Sequence, residues 1–203
     1  MYPVIFVGHG TPLNAIKKND FTIGWQKIAK KFPKPRLIIM ISAHWVTKSL
    51  KVLSASENRT IHDFYYFPKE LYEVEYDAPG SCELAQRISD LTGAVPDQNW
   101  GLDHGAWTVL KHMYPEKDVK VVQLSIDASK SAAELFAIGE QLRPLRDIAL
   151  IIGSGNIVHN LRKADFKKTE GYTWAENYDN MISDFILNRD YEQIINYEKI
   201  PES

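Results

Sequence analysis

The chain has a single cysteine, no long apolar run and almost no net charge. Because Cys82 is alone among 203 residues, an internal disulfide is excluded, which favours a reducing compartment and predicts a cytoplasmic location. No apolar stretch approaches the roughly 20 residues of a membrane span, and we see no signal peptide. The formal net charge of −2 argues against a nucleic-acid or membrane-surface partner.

Size and composition are those of one globular domain. The hydrophobic content of 44% and the charged content of 25% are ordinary, and a chain of this length can bury a substantial core. No internal repeat, low-complexity tract or linker divides the sequence. We therefore expect a single domain.

Short apolar runs alternate with helical patterns along the chain. Runs rich in Val, Ile and Leu are typical of strands buried on both faces of a parallel sheet. They lie at 4–7, 37–41, 51–54, 120–124 and 148–152. Capping-box patterns at 131–134 and 173–176 predict the starts of two helices. The alternation predicts an α/β fold with a central, mostly parallel or mixed sheet flanked by helices.

Three histidines come just after predicted strands. These are His9, His44 and His159. Ligands of open α/β sheets bind beyond the carboxyl ends of the strands, so we expect the three imidazoles to converge there. Neutral imidazole is the commonest side-chain metal ligand, and a few imidazoles leave positions open for catalysis. The pattern predicts a metal site at this edge, although each histidine alone could equally form structural hydrogen bonds.

Two further histidines lie in loops rich in aromatic residues, each beside an aspartate. His62 precedes Asp63, and His104 follows Asp103. Neighbours in a loop need not face each other, so the pairs are weak indications. Three roles stay open for both histidines: each could orient a metal ligand, bind the substrate or be purely structural.

Six short motifs follow one another along essentially the whole chain. They are 8–12 (GHGTP), 42–45 (SAHW), 61–64 (IHDF), 100–107 (WGLDHGAW), 122–127 (VQLSID) and 155–161 (GNIVHNL). In this order they closely resemble the 4,5-DOPA dioxygenase extradiol group of the class III (LigB-type) extradiol ring-cleavage dioxygenases.

The resemblance implies an oxidoreductase of aromatic compound metabolism with an α/β fold. Its implied cofactor is non-haem Fe(II), with Zn(II) often found after purification. The implied activity is insertion of O₂ into a catechol-type ring of a DOPA-like substrate, beside the two hydroxyls. The partners are then a small-molecule catechol and O₂, without nucleic acid or membrane, and homo-oligomerisation is left open.

The resemblance also implies roles for individual residues. His9 and His44 match metal ligands. His159 matches an active-site histidine that acts as a ligand or as the acid/base group for the catechol proton. His104 is a second expected catalytic residue, and with His62 it would line the substrate pocket.

Two tryptophans are candidates for substrate binding. Trp45 and Trp107 follow His44 and His104 closely in the chain, and their rings could stack against an aromatic substrate. Together with His62 they form the predicted substrate-binding set.

Members of this family usually continue beyond the position that matches Asn196 and Tyr197, and that segment carries another histidine of the metal site. We therefore expect residues 1–203 to be a LigB-like domain without it. A catalytically impaired metal-binding or scaffold member of the same fold is the main alternative. A zinc hydrolase ranks last, because no glutamate is placed as its general base.

Overall fold

A six-stranded mixed sheet runs through the centre of the molecule, in a computed structural model that describes residues 1–165, 167 and 170–201. Its order is β1-β6-β2-β5-β3-β4, and the first four are parallel neighbours. β3 is antiparallel to β5 and parallel to β4. The predicted α/β class with a mixed sheet is confirmed. The strands are β1 (Val4–Gly8), β2 (Leu37–Thr47), β3 (Lys51–Leu53), β4 (Val95–Asp97), β5 (Lys120–Asp127) and β6 (Ala149–Gly155).

The central strands are buried on both faces, because successive side chains point to opposite sides of a sheet. Ile38 and Met40 belong to one hydrophobic cluster, whereas Ile39 between them belongs to the other. On β6, Ile152 and Ile151 divide in the same way. The continuous apolar runs therefore mark strands with a helical layer on each side, as predicted.

Helices cover the two faces of the sheet. Helix α4 packs on β2 and β6 and is contacted by α1, while α3 contacts β3, β4 and α5. Eight of the ten residues of α4 are buried, so its first turn is held rigidly at the edge of the sheet. The helices are α1 (Asp20–Ala29), α2 (Lys69–Tyr72), α3 (Cys82–Thr92), α4 (His104–Met113), α5 (Ala132–Gln141), α6 (Thr173–Asn188) and α7 (Tyr191–Ile195).

The two predicted capping boxes have different outcomes. Ser131 and Glu134 form a complete box at the start of α5. The box predicted at Thr173 is wrong, because Thr173 is already the first helical residue and Tyr172 precedes it without a side-chain cap. A threonine can cap a helix only from the non-helical position before the first turn.

Strand β2 is longer than its apolar run. The predicted end was near Ile41, but the strand continues to Thr47, and its register with β5 changes between Ile41 and Val46. His44 therefore lies within an irregular part of the strand and not beyond its end. Such irregularities re-aim side chains and are common next to active sites.

Candidate metal centre

Three histidines meet at the C-terminal edge of the parallel strands. His9 directly follows β1, His44 lies in β2, and His104 is the first residue of α4. One ligand nitrogen of each lies within 4.8 Å of the others, and this is the one group of three such side chains among the residues that the structure describes. The Nε2 atoms of His9 and His44 are 3.0 Å apart, and Zn–N bonds are about 2.0–2.1 Å long. One ion can therefore bind both nitrogens.

The hydroxyl of Ser154 fixes which nitrogen of His9 carries the proton. Ser154 donates its single hydrogen to the carbonyl oxygen of Gly105, 2.6 Å away. Its oxygen also lies 2.9 Å from Nδ1 of His9, so it must accept a hydrogen bond there. Nδ1 of His9 is then protonated, and Nε2 is left with a free lone pair. Histidine ligands of metals are held in this way through their second nitrogen.

The carboxylate of Asp63 orients the other two imidazoles. Its Oδ1 accepts a hydrogen bond from Nδ1 of His104 at 2.9 Å, and its Oδ2 lies 3.5 Å from Nδ1 of His44. A carboxylate can only accept, so Nδ1 of His104 carries the proton and Nε2 is free. For His44, the opposite tautomer would turn a lone pair toward the carboxylate, which is repulsive. The donor set thus fits a metal that takes three neutral imidazoles.

Burial keeps His9 and His44 neutral. The pKa of His9 is lowered to about 3, chiefly by burial and then by the neighbouring His104, His44 and His159. The pKa of His44 is also lowered, first by burial and then by His104. For Asp63, burial raises the pKa, but the side-chain and backbone hydrogen bonds from His104 help to outweigh that effect, and the pKa stays below its usual value. Neutral imidazoles beside a carboxylate are the protonation states that metal binding requires.

A second, fully buried carboxylate lies beneath the centre. Asp103 accepts hydrogen bonds from Ser42 Oγ at 2.6 Å, from the amide of Gln123, and from the backbone N–H of Ala106 at 3.2 Å. Burial raises its pKa, while Ser42 and Gln123 oppose the rise. The backbone N–H of His44 donates to the same Ser42 hydroxyl. Asp103 therefore joins β2, β5 and α4 below the three imidazoles.

Gly105 allows α4 to approach β2 closely. A Cβ at this position would lie 2.5 Å from Oγ of Ser42 and 2.9 Å from Cδ2 of His44. Contacts below 3.0 Å are not tolerated without movement of a neighbour. Glycine is therefore required sterically between His104 and the strand that carries His44.

His159 lies four residues beyond the end of β6 and is exposed. It is not part of the group of three nitrogens within 4.8 Å, but it lies close enough to lower the pKa of His9 and His44. The predicted convergence therefore holds most closely for His9 and His44, with His104 as the third nearby imidazole. The ligand or acid/base role of His159 stays a prediction.

The three predicted substrate-binding side chains line the interior of the structure. Trp107 is 0% exposed, and its indole N–H donates to a main-chain carbonyl. Trp45 is 3% exposed and stacks on Trp100 with 5.7 Å between ring centroids. Nε2 of His62 lies 3.0 Å from a backbone carbonyl oxygen, and its ring contacts that of Trp107. Their role in substrate binding stays a prediction. Their burial and their hydrogen bonds favour a structural role in holding the loops around the site.

Two residues of the centre were not singled out from the sequence. In the sequence Asp63 stands out only as a neighbour of His62, whereas the structure pairs it with histidines from two other segments. Ser154 belongs to a predicted Gly/Ser/Asn turn, but the structure includes it in β6. The alternation of β6 could have indicated that Ser154 points to the same face as Ile152, toward α4.

The comparison with known families decides what this centre belongs to. Residues 4–201 match the family described as the catalytic LigB subunit of aromatic ring-opening dioxygenase. The chain belongs to the LigB family. Its predicted class, an extradiol ring-cleavage dioxygenase, is thereby confirmed, and the metal-binding character agrees with the three imidazoles.

Individual relatives within the LigB family are similar over most of the chain. A 4,5-DOPA dioxygenase extradiol of Escherichia coli (strain K12) is 43% identical over 186 residues, which cover 89% of this chain and 69% of the relative. The enzyme of that name from Beta vulgaris is 40% identical over 205 residues, covering 95% of this chain and 76% of the relative. A crystal structure of an uncharacterized protein from Escherichia coli K12 superposes with a TM-score of 0.84 at 36% identity, covering 99% of this chain and 80% of that one.

Proposed function

We propose that this LigB-family enzyme opens the ring of a catechol-type, DOPA-like substrate with O₂ as the second substrate and Fe(II) as the working metal. The observation that carries the proposal is the convergence of three imidazoles whose other nitrogens face Ser154 or Asp63. The names of the similar enzymes from Escherichia coli and Beta vulgaris support the substrate class.

His9, His44 and His104 would hold the metal, with His159 close by as a further candidate. Once bound, Fe(II) would lower the pKa of the catechol hydroxyls and supply the redox chemistry that O₂ requires, which Zn(II) cannot do because it does not change oxidation state. Zn(II) would fill the same nitrogen set in a purified, inactive form.

The side chains of the chain handle substrate and protons around that metal. His159 is exposed beside the imidazoles, so it would reach a catechol hydroxyl, take its proton and return it to the opened product. Tyr65 and Tyr66 are 78% and 105% exposed in the loop that follows Asp63. Their rings are free to stack on an aromatic substrate, unlike those of the buried Trp45 and Trp107.

Oxygen uptake tests the proposal directly. The protein is loaded anaerobically with Fe(II), its iron content is measured, and O₂ consumption is followed with L-DOPA and with catechols that lack the amino-acid side chain. We expect uptake of one O₂ per ring opened with iron, and none with zinc or with His44→Ala. An iron-replete protein that consumes no O₂ with any catechol would contradict the proposal.

The catalytically impaired or scaffold alternative finds no support in the site, where the imidazoles present the nitrogens that a metal needs. No helix in the described part of the chain combines the length and apolarity that a membrane crossing demands. A cytoplasmic location and a homo-oligomer stay predictions.

A further inference from the structure

We propose that Asp63 is a positioning residue that aligns two imidazoles of the centre at once, His104 through Oδ1 and the expected metal ligand His44 through Oδ2. The inference rests on the metal site of the proposed function and adds a residue outside the set of ligands. Asp63 contacts neither metal nor substrate in this proposal. It acts through the two imidazoles.

The two oxygens of Asp63 face three donors. Oδ1 accepts the backbone N–H of His104 at 2.8 Å and its Nδ1–H at 2.9 Å. Oδ2 lies 3.5 Å from Nδ1 of His44. The first oxygen therefore fixes both the main chain and the ring of His104 at the start of α4. The second oxygen faces the ring that β2 contributes.

This arrangement selects the nitrogen that each ring offers. An acceptor at Nδ1 keeps the proton there and leaves the lone pair on Nε2. The ring centroids of His44 and His104 are only 3.9 Å apart, so one carboxylate can serve both. Rotation of either ring would break its contact with Asp63 and would turn Nε2 away from the shared position.

The loop that carries Asp63 is itself anchored to the segment of His104. The backbone N–H of Ile61 donates to the carbonyl of Leu102, and the carbonyl of Ile61 accepts the indole N–H of Trp107. The buried ring of Phe64 packs edge-on against His104, with 5.7 Å between centroids. These contacts on both sides of Asp63 hold its carboxylate in place, which a positioning role requires.

An asparagine cannot replace this carboxylate. Its amide has a single oxygen acceptor, and its NH₂ group is a donor that would oppose one of the two imidazole N–H groups. Either His104 or His44 would lose its partner or change its tautomer. Loss of such partners typically lowers metal affinity by about 10- to 100-fold.

The test compares Asp63→Asn and Asp63→Ala with Asp97→Asn. Asp97 is a useful control because its carboxylate also accepts backbone N–H groups and a side-chain donor, here Lys51 and not a histidine. Affinities for Zn(II) and Co(II) are measured by competition with a chromophoric chelator, and the visible spectrum of the Co(II) form reports the ligand geometry. Long-range ¹H–¹⁵N correlation spectra of the metal-free protein report the tautomer of His104.

We expect Asp63→Asn and Asp63→Ala to bind both metals about 10- to 100-fold more weakly, with an altered Co(II) spectrum. Asp63→Ala should also lose the Nδ1–H tautomer of His104. Asp97→Asn should change none of these readouts. Metal affinity within twofold of wild type, together with an unchanged Co(II) spectrum and tautomer in Asp63→Ala, would overturn the proposal, as would a wild-type protein that binds neither metal. Weak binding by the variants beside a wild-type protein without oxygen uptake would support the inference and reject only the catechol reaction.

Discussion

The Nε2 atoms of His9 and His44 lie 3.0 Å apart, although 35 positions separate the two residues in the chain. Two neutral imidazoles that turn lone pairs toward each other at this distance repel, and a cation between them removes the repulsion. The short distance between the two nitrogens is therefore the arrangement expected of two ligands that share one cation.

Removal of one imidazole should abolish tight metal binding. We expect His44→Ala to lower the affinity for Zn(II) by about 100-fold or more, because it removes a ligand and not merely its partner. The measurement is competition with a chromophoric chelator at pH 7.

His112→Gln is the matched control for that variant. His112 binds the carbonyl oxygen of Asn14 through Nε2 and lies outside the group of three nitrogens. Its replacement should cost about 1 kcal/mol of folding free energy and leave the Zn(II) affinity unchanged. Equal loss of affinity in both variants would show that the three imidazoles are not the binding site.

The metal-free protein should lose stability as the pH falls. The pKa of His9 is about 3 in the folded state, below its ordinary value of 6.5, chiefly because of burial. Below pH 6.5 the unfolded chain therefore binds a proton that the folded chain does not bind. The contribution of His9 to the free energy of unfolding is therefore fully present above pH 6.5. It is lost toward pH 3, at about 1.4 kcal/mol per pH unit over most of that window.

Urea unfolding with a chelator present, at several pH values from 7 to 4, measures this slope. His9→Asn lacks the titrating group, so its free energy of unfolding should fall less steeply. Identical slopes for the two proteins would contradict the low pKa of His9.

Gly105→Ala should disturb the centre although alanine is the better helix former. Its methyl group would lie 2.5 Å from Oγ of Ser42 and 2.9 Å from Cδ2 of His44, so we expect a loss of about 1–3 kcal/mol in stability and weaker Zn(II) binding.

Gly139→Ala provides the contrast in a helix interior. Gly139 lies within α5, and a Cβ there would meet nothing within 4 Å. This variant should gain up to about 1 kcal/mol from helix propensity and bind Zn(II) normally. Thermal unfolding of both glycine variants in metal-free form separates the two effects, and stabilisation of the protein by Gly105→Ala would contradict the steric argument.

Trp107→Phe should weaken the link between α4 and the loop of Asp63. The substitution keeps an aromatic ring in the core but leaves the carbonyl of Ile61 without its indole donor, at a cost of about 2 kcal/mol in combined packing and hydrogen bonding. Trp174→Phe, on the half-buried side of α6, should cost less than about 1 kcal/mol. Chemical denaturation measures the free energy of unfolding of both variants. Equal losses of stability would show that the hydrogen bond from Trp107 to Ile61 does not contribute beyond the packing of the ring.

The sequence predicts the scaffold well because burial on two faces leaves a strong local pattern. Continuous apolar runs identify the strands that carry His9 and His44, and the rule that ligands bind beyond strand ends places both at one edge. The short strand β4 and the extension of β2 to Thr47 were not predicted, because they depend on pairing with β3 and β5 rather than on hydrophobic periodicity.

The finer arrangement of the site depends on contacts between distant segments. Asp63 and His104 are separated by 41 positions, and His9 and Ser154 by 145. No local pattern encodes which aspartate faces which imidazole. The position of His104 beside His9 and His44 follows from the packing of α4 on β2 through Gly105, which only the folded structure reveals.

The carboxylate of Asp63 couples the stability of the loop that carries it to metal binding by His44 and His104. Metal binding should therefore slow hydrogen exchange along this loop, and a protease that cuts at the exposed Tyr65 and Tyr66 should weaken metal binding. The rate of digestion then measures how much of the protein holds metal, without any substrate.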